Sequence, residues 1–187
     1  MLILSLLWGC FNLGLDDSGP AERGLEPIPE PSPIHWEACS YQLGDHICDF
    51  TYANAENTTT TLYDHYGEVI VLDYFTEWCP YCRQAAEKAD YYIDEDVIMF
   101  SVMIQNQWGN DPRVEDIERW ASAYQLEETE VLAAGDYIKD PNGQWGPDIQ
   151  AYPSFIIVDK DMIIREKIMG WSLEIMQQLI ADIKSEE

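Results

Sequence analysis

The residues with the clearest chemistry are two cysteines separated by two positions, Cys79-Pro80-Tyr81-Cys82. An apolar, strand-like run precedes them, and a helix-forming stretch opened by Pro80 follows. A thiol placed just before a helix meets unsatisfied backbone N–H groups and the positive end of the helix dipole, and both favour its thiolate. One turn further on, the second sulfur lies within bonding reach of the first, so the pair can switch between dithiol and disulfide. A zinc knuckle would require a second Cys or His pair nearby. The histidines, His35, His46 and His65, all precede the motif and none abuts it, so neither a metal nor another cofactor is expected at the cysteine pair.

Asp73 lies in the same apolar run, residues 69–75, ahead of Cys79. A carboxylate in a buried strand costs several kcal/mol unless it has a partner or a task. Burial would raise its pKa toward neutrality, where it can take up and release a proton; the alternative is a structural pairing with a polar neighbour.

The elements that must position these groups follow from periodicity. Residues 69–75 and 97–104 read as strands buried on both faces. Residues 80 to about 95 read as one helix. A second helix follows Asp111-Pro112 with Val114, Ile117, Trp120, Ala121 and Tyr124 on one face. Residues 154–158 and 162–168 read as a hairpin closed by Asp159-Lys160-Asp161. Gly170 ends it, and Ser172 is the expected cap of a last helix with Leu173, Met176, Leu179, Ile180 and Ile183 on one face. The order β-α-β-α-hairpin-helix implies an α/β fold with a mixed sheet flanked by helices.

Asp73, Trp78 and Cys79-Pro80-Tyr81-Cys82, in this order and spacing, resemble the strand and active-site loop of the thioredoxin superfamily. The resemblance implies that Tyr152-Pro153-Ser154 carries a cis proline facing the sulfurs, leaving the Tyr152 peptide groups to pair with an extended substrate. It implies Cys79 as nucleophile, Cys82 as resolving thiol and Asp73 as proton carrier. Trp78, Pro80, Tyr81, Tyr152 and Pro153 would then be the substrate surface. The Lys that tunes this Asp in thioredoxin has no counterpart in residues 97–104.

Roughly seventy residues separate Cys82 from Pro153, more than in thioredoxin; the excess holds the helix at 112–126 and the segment 130–137. Gly44-Asp45, Asp49-Phe50-Thr51 and Leu62-Tyr63-Asp64 with Gly67 are similar to the lead-in of TlpA/ResA-like and peroxiredoxin-related proteins. The resemblance spans about residues 41–184 and implies a thiol–disulfide oxidoreductase acting on protein thiols and disulfides with a separate redox partner. The alternatives are a peroxiredoxin-like peroxidase using Cys79, for which Thr76-Glu77-Trp78-Cys79 supplies the Thr, a metal-binding maturation factor, and a redox-inactive binding module. A copper-binding factor of the Sco type needs C-x-x-x-C and a distal His, which the sequence does not supply. Pro80-Tyr81 is the glutaredoxin dipeptide, but glutaredoxins are much shorter and carry Thr-Val-Pro at the cis proline, so glutathione is not expected as a cofactor.

Ahead of this region, residues 1–10 form an apolar run ending in Leu7-Trp8-Gly9-Cys10, which looks like the end of a signal closing on a lipobox with Cys10 as the lipidated residue. The missing basic start and the bulky Trp8 depart from that pattern. Residues 11–37 are acidic and hold Pro20, Pro27, Pro29, Pro31 and Pro33, the composition of an extended tether. The folded domain is expected over 38–187, as a monomer, outside the cytoplasm and anchored to membrane only through lipid. Cys39 and Cys48 read as a structural disulfide, as two free thiols, or with His35 and His46 as a metal site; an extracytoplasmic setting favours the disulfide. With 35 acidic against 10 basic residues, the formal charge is −25, which repels phosphate backbones and excludes nucleic acid as an expected partner.

Overall fold

The computed structural model describes Trp36 and residues 38–186. The expected signal and lipobox with Cys10, and all of the expected tether except Trp36, lie outside the described residues.

Seven strands form one sheet: β1 Thr51–Asn54, β2 Thr59–Thr61, β3 Val69–Thr76, β4 Val97–Gln105, β5 Glu130–Ala133, β6 Ser154–Val158 and β7 Ile164–Met169. Their order across the sheet is β2-β1-β5-β4-β3-β6-β7. The pairs β3–β4 and β4–β5 are parallel, and β3–β6, β6–β7, β1–β2 and β1–β5 are antiparallel. Every residue of β3 is buried, as its apolar run, broken by Asp73, predicts for a central strand.

The helices are α1 Pro80–Ala86, α2 Val114–Tyr124 and α3 Leu173–Ser185. Period-two alternation along β3 separates the two faces of the sheet. Val69 and Val71 pack with Ala85, Ala89, Met176 and Ile180, while Phe75 packs with Cys79, Cys82, Ile117 and Trp120. All three helices therefore bury against one face. Ile70, Leu72 and Tyr74 point to the other face, beneath Tyr41, Ile47, Phe50, Leu62 and Tyr63 of the lead-in.

Several boundaries differ from the sequence expectation for identifiable reasons. The single helix expected over 80–95 is α1 followed by a separate 3-10 turn, Ala89–Tyr92, because Lys88 leaves helical geometry at φ −126° and ψ 5°. The carboxylate of Asp90 then accepts the backbone N–H groups of Glu127 and Thr129 and the Thr129 hydroxyl, a tertiary contact that competes with helix continuation. Ser172 stands at the N-cap of α3, but its side chain makes no cap hydrogen bond. The hairpin β1–β2 was not legible as strands. Asn54 ties its two strands together by donating to Thr60 Oγ1 at 3.2 Å and holds them to β5 by donating to Glu130 Oε1 at 3.1 Å. Cys39 and Cys48 form a disulfide, and His46 stacks on Trp36 with ring centroids 3.6 Å apart.

Candidate active site

Strand β3 delivers Asp73 and the active-site loop to the edge where α1 begins. Cys79 is the N-cap of α1 and Pro80 occupies its first turn, where a missing N–H costs no helical hydrogen bond. Cys79 Sγ accepts the Cys82 N–H at 3.3 Å, so a helix-terminal donor already points at the sulfur that would carry negative charge. The same Sγ donates to the Tyr152 carbonyl at 3.5 Å. The Tyr152–Pro153 peptide is cis. Both cysteines are free thiols, with Cys79 4% exposed and Cys82 fully buried. Burial, reinforced by the nearby Asp73 carboxylate and by Cys79, pushes the Cys82 thiol well above its ordinary range.

Asp73 is 2% exposed, and its Oδ1 has no hydrogen-bond partner. Burial pushes its carboxyl up to about 8. Its register partner on β4 is Ser101. Ser101 Oγ is also buried without a partner.

The surface around the sulfurs is aromatic. Pro80, Trp78 and Tyr81 are exposed, Tyr152 is half-buried, and Pro153 is buried beneath them. The Trp78 and Tyr152 rings meet edge to face, with centroids 6.1 Å apart at 87°. The structure thus brings together Asp73, Trp78, Cys79, Pro80, Tyr81, Cys82, Tyr152 and Pro153. The Cys39–Cys48 disulfide belongs to the lead-in that covers the opposite face of the sheet, and Cys48 lies in its core.

Sequence reasoning missed the residues that brace this loop. Glu77 is buried, and Arg119 of α2 grips its carboxylate with two hydrogen bonds of 3.0 and 2.8 Å. Its Oε2 also accepts the Gln107 N–H at 2.9 Å, and its carbonyl accepts from the Arg83 guanidinium. The available signal was a Glu two positions before the first Cys, combined with only 10 basic residues in the chain. Among the described residues, no group of three or more His, Cys, Asp or Glu side chains is placed to hold a metal ion.

A dithiol at a helix N-terminus, backed by a buried acid and faced by a cis proline, defines a thioredoxin-fold thiol oxidoreductase site. The AhpC/TSA family profile matches residues 43–167, and the chain belongs to that family. No curated protein matches the chain by sequence. Solved structures with the same fold include the thioredoxin domain of a thiol-disulfide oxidoreductase from Bacteroides vulgatus. That likeness has 18% identity and a TM-score of 0.58, over 75% of this chain and 96% of that one. A secreted disulfide oxidoreductase of Mycobacterium tuberculosis is similar at 17% identity and a TM-score of 0.54, over 71% of this chain and 95% of that one. An exposed lipoprotein thioredoxin of Streptococcus pneumoniae is similar at 18% identity and a TM-score of 0.53, over 71% of this chain and 98% of that one.

Proposed function

We propose that this chain exchanges disulfides with protein substrates through Cys79 and Cys82. The observation that carries this reading is the placement of Cys79 Sγ, at the N-cap of α1 and against the Tyr152 carbonyl, with Cys82 one turn behind it. In the reducing direction, the Cys79 thiolate attacks a substrate disulfide. A mixed disulfide forms, and one substrate sulfur leaves as a thiolate that takes a proton. Cys82 gives its proton to ionised Asp73 and attacks the Cys79 sulfur. The second substrate thiol is released and the Cys79–Cys82 disulfide remains, so two electrons pass to the substrate. The oxidising direction is the reverse. Trp78, Pro80, Tyr81, Tyr152 and Pro153 form the surface on which the substrate segment lies.

Dithiol exchange fits better than a one-cysteine peroxidase. Cys82 is retained directly behind Cys79, and the guanidinium hydrogen bonds of Arg83 and Arg119 go to Glu77, Glu115 and Asp116 rather than to a sulfur. Reduction of insulin disulfides by the reduced protein tests the reading directly. Alkylation at neutral pH is expected to modify Cys79 well before Cys82, because the Cys82 thiol is both buried and held protonated. Faster labelling of Cys82 would reverse the assignment.

The proposal extends to location. Residues 38–187 form the catalytic domain, residues 11–37 a spacer, and Cys10 the lipid attachment point that holds the protein at an extracytoplasmic membrane surface as a monomer. The lipobox-like sequence, the Pro-rich acidic composition and the Cys39–Cys48 disulfide support it, the last because such bonds persist in oxidising compartments. No helix among the described residues is long and apolar enough to cross a membrane. A chain shortened to begin at Trp36 is expected to reduce insulin at the full-length rate. A large loss of activity would place the leader inside the working domain.

A further inference from the structure

A closed circuit of side chains lies beside Cys79, and most of it comes from outside the active-site loop. The Trp78 indole N–H donates to Gln105 Oε1 at 2.9 Å, and Gln105 Nε2 donates to Asp136 Oδ2 at 2.5 Å. Asp136 is ion-paired with Lys139, whose Nζ lies 3.5 Å from the Tyr152 hydroxyl. The Tyr152 ring returns to Trp78 by the edge-to-face contact, and the Tyr152 carbonyl accepts from Cys79 Sγ. Asp136 opens the short turn Asp136–Ile138 after β5 and Lys139 follows it, in the stretch that lengthens the chain between Cys82 and Pro153. Gly135, at φ +153°, lets the chain enter that turn, where an added Cβ would stand 2.9 Å from both Asp111 Oδ1 and the Tyr137 ring.

We infer that Gln105, Asp136 and Lys139 are positioning residues that hold Trp78 and Tyr152 as two fixed aromatic walls beside Cys79, against which the substrate segment lies. Trp78 is 45% exposed, so little packing fixes its ring, and its one polar atom is tethered to the end of β4. Tyr152 is tethered through its hydroxyl to the inserted segment. Pre-set walls reduce the ordering cost of binding a flexible segment, whereas a small reagent that needs only the sulfur gains nothing from them. The circuit therefore acts on recognition of protein substrates and leaves the intrinsic reactivity of Cys79 alone. This inference rests on the disulfide-exchange reading.

The test compares Gln105→Leu and Lys139→Met with the unaltered full chain, measuring insulin reduction and the rate of Cys79 alkylation by iodoacetamide. Each variant loses a net hydrogen bond or two from the walls, so KM for insulin is expected to rise about five- to ten-fold with kcat nearly constant. The alkylation rate should change less than two-fold, and Lys139→Arg should restore KM. Unchanged KM in both variants, or a parallel fall in kcat and alkylation rate, would overturn the positioning role. A denaturant melt identifies any variant that fails to fold, in which case Asp136→Asn, which keeps an acceptor for Gln105 but loses the ion pair, must show the same rise in KM or the role is rejected. If the unaltered chain itself fails to reduce insulin, the underlying function is wrong, an outcome distinct from failure of the circuit.

Discussion

Cys79→Ser is expected to abolish disulfide exchange, because a serine hydroxyl stays protonated near neutrality and cannot replace the thiolate as attacking group. Cys82→Ser should behave differently. Attack by Cys79 is retained, but the resolving sulfur is gone, and the protein should accumulate as a mixed disulfide with its substrate. The two variants together separate the dithiol mechanism from a peroxidase that works through Cys79 alone. Mass spectrometry of the reaction with an oxidised protein substrate checks this. A Cys82→Ser protein that turns over at the unaltered rate without a trapped adduct would favour the one-cysteine alternative.

Asp73→Asn is expected to leave the first attack largely intact and to slow resolution by roughly a hundred- to ten-thousand-fold, the range associated with loss of a general base. The proposed mechanism calls for such a base. Cys82 is buried and its thiol is held well above its ordinary range, so its proton does not leave unaided. Asp73, pushed up to about 8, can both accept that proton and release it near neutrality. The same shift has a stability consequence of definite sign. The unfolded carboxyl titrates at about 3.9, so the folded state binds the proton more tightly. Stability should therefore decline as pH rises from about 4 toward 8 and level off above that. Asp73→Asn should remove this slope and make the protein more stable by ~2–4 kcal/mol above pH 8, since it deletes a buried charge with no cationic partner. Stopped-flow turnover paired with denaturant melts across pH checks both halves. Resolution at the unaltered rate with a weakened fold would make Asp73 a structural residue.

The site was legible to the extent that its chemistry is local. Cys79, Pro80 and Cys82 are fixed by the entry of one strand into one helix, so local pattern placed them, while the place of Asp73 in the site came with the resemblance. The cis state of Tyr152–Pro153 came from resemblance, since a lone X-Pro pair reads equally well as trans. Glu77, Gln105, Arg119, Asp136 and Lys139 were not legible, because each matters through a partner distant in sequence. Arg119 reaches Glu77 across 42 positions, and Gln105 reaches Asp136 across 31. The break after α1 has the same origin, as Asp90 is drawn to Thr129 across 39 positions while local propensity favours continued helix. The hairpin β1–β2 was obscured because its short strands, the outer one all Thr at the edge of the sheet, show no apolar alternation.

An equilibrium titration of the reduced protein against mixtures of reduced and oxidised glutathione tests the central claim most directly, read by thiol counting and peptide mapping of Cys79 and Cys82. The account predicts a single two-electron transition, shifting tenfold in equilibrium ratio per about 30 mV, in which Cys79 and Cys82 lose their thiols together as one intramolecular disulfide while Cys39–Cys48 stays bonded throughout. Independent glutathionylation of Cys79 with Cys82 remaining a free thiol at every potential would contradict it.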